Sequence, residues 1–189
     1  MSEPNSLFAK IKIKKDKFTE FLQSKPDQPK LDKNWLDWWN SKEMYGKSEL
    51  TQTQIYGYDD PTNADIINGW TNAKQSFTFS DYDAENEIWN FGIIMFSENY
   101  LEMIPGLSFI KSVASFKDDN SDDFAIIYNY FWGSNDINAY VEFKDNESFF
   151  DIKTKEKSDI LPKILEYTEN YLSKKWDEFA DNGATDEYD

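Results

Sequence analysis

Residues 124–152 read FAIIYNYFWGSNDINAYVEFKDNESFFDI, and this stretch decides the fold. Phe124 to Trp132 is a run of β-branched and aromatic residues long enough for one strand, and Gly133-Ser134-Asn135-Asp136 is a turn. Ala139, Val141 and Phe143 alternate on a return strand, and Asp145-Asn146 makes a second turn before Phe149 and Phe150. Apolar alternation broken by turn residues is the signature of an antiparallel meander. Upstream, Ile88 to Phe96 is apolar enough to be a central strand. Between these strands Met103, Leu107, Ile110 and Ala114 recur at helical intervals over 100–116, with Pro105 tolerable in a first turn. Residues 107–116 also fit a strand. Strand 88–96, helix 100–116 and strand 124–132 together form one βαβ unit, whose two strands run parallel through a right-handed crossover.

The same reading extends to both ends. Leu7, Ala9, Ile11 and Ile13 alternate with Lys10, Lys12 and Lys14, which predicts a half-buried strand whose lysines suit an exposed edge. A short helix over 16–23 ends before Pro26 and Pro29, and Leu31, Trp35, Trp38 and Trp39 fall at helical spacing within 31–43. Residues 45–63 read as a loop and 64–72 as a brief helix, and Phe77 and Phe79 begin the next strand. From a cap at Ser158 or Asp159, residues Leu161, Ile164, Leu165, Thr168, Tyr171, Leu172, Trp176 and Phe179 hold a 3.6-residue period. The expected fold is one α+β domain over 1–189, a mainly antiparallel sheet with one βαβ unit flanked by helices. A long C-terminal helix and a frayed acidic tail over 181–189 complete it.

Composition narrows the chemistry. The chain has no histidine, cysteine or arginine, and its 36 acids against 20 lysines leave a net charge of −16. AT-rich codon usage would leave the same gaps, with the same chemical consequence. Histidine is the side chain that titrates near neutrality, thiolates are soft nucleophiles, and arginine recognises phosphate bidentately. A Ser-His-Asp arrangement and His- or Cys-ligated zinc are therefore excluded, and no Gly-rich phosphate loop occurs. Such a charge disfavours nucleic acid and anionic membranes and favours cationic partners. No secretory signal opens the chain and no run reaches the length of a membrane span. With no disulfide possible, a cytoplasmic location is expected.

The acids are unevenly placed. Asp81, Asp83, Glu85 and Glu87 precede the first strand of the βαβ unit, and Asp118, Asp119, Asp122 and Asp123 precede the second. Asp145 and Glu147 follow the return strand, so all ten carboxylates are expected on one rim of the sheet. No lysine lies within 75–110 or 118–143 to neutralise them. The alternative is that acidic loops are solvated and serve solubility. Asp81, Asp83 and Glu85 have the alternation of a calcium loop, but Asn86 stands at the turn glycine and Gly92 at the closing glutamate. No metal and no cofactor is expected.

In this profile (small, acidic, single-domain α+β, without catalytic residues) the chain resembles the immunity proteins of bacterial polymorphic-toxin and contact-dependent inhibition systems. The resemblance implies a non-catalytic cytoplasmic protein that binds one cognate toxin domain, often a cationic nuclease, and blocks its active surface. Two readings stand beside it. Paired carboxylates and aromatic rings are what a glycosidase or carbohydrate-binding module needs, although Trp35, Trp38 and Trp39 sit at core-like spacing. An acidic nucleic-acid mimic that inhibits a nuclease would instead space its carboxylates along a strip.

Overall fold

A computed structural model describes residues 3–118 and 122–183. A six-stranded, wholly antiparallel sheet has β1 (Asn5–Lys12), β2 (Thr78–Asp83), β3 (Ile88–Ser97), β4 (Phe124–Tyr128), β5 (Ile137–Lys144) and β6 (Glu147–Phe150) in the order β2-β3-β1-β4-β5-β6. Helices α1 (Lys15–Gln23), α2 (Lys33–Asn40), α3 (Asn63–Asn72) and α4 (Tyr100–Ser112) share one core with one face of the sheet, and α5 (Pro162–Asp181) packs on the other. The fold is α+β, as the patterning predicts, with helices on both faces.

Helices on both faces explain the first departure from expectation. Strand β1 is not an edge but the middle of the sheet, paired with β3 on one side and β4 on the other. Leu7, Ala9 and Ile11 enter the core beneath α1 to α4, while Phe8 points the other way and packs against Tyr171 at 5.5 Å and Phe124 at 6.0 Å. Lys10 lies on that second face with its ammonium 4.7 Å from the Tyr167 ring. Its stem crosses apolar surface while its charge meets an aromatic face, which is how a lysine is accommodated on a covered strand.

The insertion of β1 also splits the βαβ unit. Strands β3 and β4 run in the same direction, each antiparallel to β1, and α4 crosses between them with β1 intervening. Residues 107–116 are helical, α4 to Ser112 and then a 3₁₀ turn from Val113 to Phe116. Pro105 lies inside α4 rather than in its first turn. The helix is buried continuously from Met103 to Ile110, so packing on every side outweighs the hydrogen bond that the proline removes.

Three other boundaries move for local reasons. Strand β4 ends at Tyr128, not Trp132, because the Asn129 carboxamide accepts the Trp132 N–H at 2.7 Å and turns the chain, and Phe131 packs on Trp176 at 4.7 Å. The C-terminal helix begins at Pro162, whose fixed φ and missing N–H suit a first helical position, after a 3₁₀ turn over Lys157–Asp159. Helix α2 is shorter than 31–43 and starts where Asp32 accepts the Trp35 N–H at 2.8 Å. Its three tryptophans are core residues, and the indoles of Trp38 and Trp39 donate to the Asn138 and Ser48 carbonyls. One glycine is dictated by packing: a Cβ at Gly92 would stand 2.4 Å from the Phe79 ring, its cross-strand partner.

Candidate partner-binding rim

Strand direction brings the acidic segments together as expected. Lys12 opposes Ile88, Lys10 opposes Phe124, and Phe124 opposes Glu142, so the β2–β3 turn, the entry to β4 and the β5–β6 turn share one end of the sheet. At the usual strand spacing of about 4.8 Å, the two hairpin turns stand roughly 20 Å apart with the other segments between.

The ten carboxylates differ in what they do there. Asp83 shapes its turn, accepting from the Glu85 N–H at 2.9 Å, the Asn86 N–H at 3.1 Å and the Asn86 carboxamide at 2.7 Å. The Asn86 bonds, followed by that of Glu85, hold its carboxyl below the usual carboxylate range. Glu85 projects into solvent. Glu87 takes a positive φ of 55° and its carbonyl accepts the Ile13 N–H at 2.8 Å, which ties the turn to the end of β1. Asp145 and Asn146 both adopt positive φ, 53° and 59°, as a two-residue hairpin turn requires, and Asp145 and Glu147 are exposed.

The entry to β4 corrects the expectation of an unneutralised rim. Asp118 pairs with Lys14 at 2.7 Å and Asp122 with Lys163 at 2.8 Å, both exposed pairs, and each lysine holds its aspartate below the usual range. Asp123 is no surface residue: it is fully buried, paired with the equally buried Lys117 at 2.9 Å, and accepts the Lys12 N–H at 2.8 Å. It fastens the end of β1 to the start of β4. Asp81 likewise faces α5, accepting from the Tyr171 hydroxyl at 2.9 Å and pairing with Lys175 at 2.8 Å, so it docks that helix. Asp119 lies outside the described residues. These compensating lysines come from the link between β1 and α1, the segment after α4, and α5. The lysine-free intervals 75–110 and 118–143 say nothing about them, because a sequence interval is not a neighbourhood in space.

No family model, no curated protein and no solved structure matches this chain. Among the described residues no group of three or more acidic side chains is placed to hold a metal ion, and no helix is long and apolar enough to cross a membrane. Trp35, Trp38 and Trp39 fill the core, so none offers a platform for a sugar ring. Of the exposed rings, Tyr45 and Tyr56 stand on the loop between α2 and α3, Trp132 on the loop after β4, and Phe149 on β6.

One set of residues escapes the sequence reading. Asn34 accepts the Phe150 N–H at 2.9 Å and donates to the Phe150 carbonyl at 3.3 Å, so its carboxamide pairs with the open edge of β6 as another strand would. Lys111 donates to the Ser148 carbonyl on the same edge at 2.7 Å. The only sequence signal is that Lys111 is the sole lysine of a long apolar segment, which does not reveal what it faces.

Proposed function

We propose that this protein is a non-catalytic, cytoplasmic binding protein that neutralises a cationic protein partner, as an immunity protein does a basic toxin domain. One observation carries this reading: the topology gathers two acid-bearing turns and the acidic entry to β4 at one end of the sheet. Glu85, Asp122, Asp145 and Glu147 present exposed carboxylates there, with Asp83 and Glu87 in the same turns. The Asp118–Lys14 and Asp122–Lys163 pairs are solvated, and such pairs contribute little to stability, so a partner's lysines and arginines can replace the internal ones. Complementary charge acts chiefly on the association rate.

The test immobilises, for surface plasmon resonance, the C-terminal domain of the protein encoded by the gene immediately upstream. A variant carrying Glu85→Lys, Asp122→Lys and Glu147→Lys, one change in each segment, reverses the local charge without touching Asp81 or Asp123. Association is expected to slow at least about tenfold, and wild-type association to slow as salt rises from about 0.05 to 0.5 M. Absence of binding, or equal association rates for variant and wild type, refutes the proposal.

A further inference from the structure

Beside the rim, a groove of about 430 Å³ opens between the linker preceding α2, the end of α4 and the edge of β6. A depression of about 350 Å³ continues it towards the β5–β6 turn, and both are lined by Lys111. The Lys111 amine is held by neutral groups: the Ser148 carbonyl at 2.7 Å, the Asn34 carboxamide oxygen at 3.4 Å, and the Phe150 ring, whose centroid is 4.3 Å away. The charged groups of the groove are Asp32 at the cap of α2, Asp27 and Lys30 on the linker, and Glu147 on β6. Among the described residues none forms an ion pair with Lys111. Asp32 is the one whose charge favours the ammonium form, and burial outweighs it, lowering Lys111 to about 8. An amine so placed is uncharged in a sizeable fraction of molecules near neutrality, which exposed lysines are not.

We propose that Lys111 is a carbonyl-capture site, its amine condensing with a small uncharged aldehyde bound in this groove. The nitrogen lone pair attacks the carbonyl carbon as the C=O π pair moves to oxygen, and a proton passes from nitrogen to oxygen to give the carbinolamine. Loss of that oxygen as water leaves the imine, so amine and aldehyde are converted to imine and water with no oxidant or reductant. The ligand is uncharged because Asp27, Asp32 and Glu147 oppose an anion, and the exposed ring of Phe149 offers apolar surface to its alkyl or aryl group. This inference does not rest on the proposed partner.

The full-length native protein is treated with limiting benzaldehyde and cyanoborohydride, which reduces the imine to a stable benzylamine, and labelled peptides are quantified by mass spectrometry. The larger neutral fraction of Lys111 outweighs the nucleophilicity lost with its basicity, so near pH 7.5 it is expected to label at least about tenfold faster than Lys144. Its rate levels off above about pH 8, and the preference vanishes in concentrated urea. Native labelling of Lys111 no faster than that of Lys144, or a preference that survives urea, overturns the proposal.

Discussion

Two lysines show what burial does to one charge. Lys117 is as buried as Asp123, its partner at 2.9 Å, and removing one member of such a pair leaves the other charge stranded. Asp123→Asn keeps an acceptor for the Lys12 N–H but strands Lys117, and is expected to cost about 3–5 kcal/mol in urea unfolding. Adding Lys117→Met should recover at least about half of that loss; no recovery would mean that the pair is not the source of the cost. Lys111 is buried without a carboxylate partner. Its native pKa of about 8 lies below the ordinary 10.5, so between those values the unfolded chain holds a proton that the native chain has released. Unfolding free energy therefore rises with pH across that window, and below about pH 8 the full desolvation cost is present. Relative to Lys111→Met, the wild type should gain about 1–3 kcal/mol of stability between pH 7 and 10. A stability difference between them that stays flat with pH would show that Lys111 is not desolvated.

Among the elements, α5 carries the most. Among the described residues it is the sole α-helix on its face of the sheet, burying Ile164, Thr168 and Leu172 and setting Tyr167, Tyr171, Trp176 and Phe179 against Phe8, Phe77, Phe79 and Phe131. Its polar anchors, Tyr171 and Lys175 to Asp81 and Tyr167 to Asn90 at 3.0 Å, reach the two strands farthest towards the β2 edge. Each large apolar side chain is worth on the order of 1.5–3 kcal/mol when buried. A chain ending at Lys157 is therefore expected to be insoluble or to lose cooperative unfolding; a thermal melt near the wild-type midpoint would show α5 to be peripheral. The tryptophans of α2 stabilise the opposite layer, where Trp38 stacks on Phe150 at 5.1 Å while Asn34 closes the β6 edge. An edge whose outward N–H and C=O groups are met by side chains is protected against pairing with another chain.

At the scale of the molecule, the net charge of −16 is spread over a surface where acids and lysines from distant segments meet. The salt dependence of association expected above belongs to this scale, since it reads the summed field of the rim rather than any one contact. That field is weaker at the β4 entry than the sequence implies and is carried most fully by the hairpin turns, where Glu85 and Glu147 are exposed and Asp145 has only Lys144 at 4.0 Å.

The sequence by itself determined the α+β class, the order and approximate places of most strands and helices, the shared direction of β3 and β4 and hence the gathering of acidic segments at one end. These follow from periodicity and turn chemistry, which act over a few residues: a strand or helix with one apolar face must bury it wherever it goes. Only the tertiary structure decided that β1 lies between β3 and β4, that Asp123 is buried on Lys117 while Asp81 docks α5, and that Lys111 faces a groove. Those outcomes depend on pairs such as Lys12 with Asp123, 111 residues apart, and Tyr171 with Asp81, 90 apart. Local pattern does not specify such pairs, because many lysines and tyrosines satisfy the same aspartate equally well until the two helical layers close over the sheet and fix which of them is near.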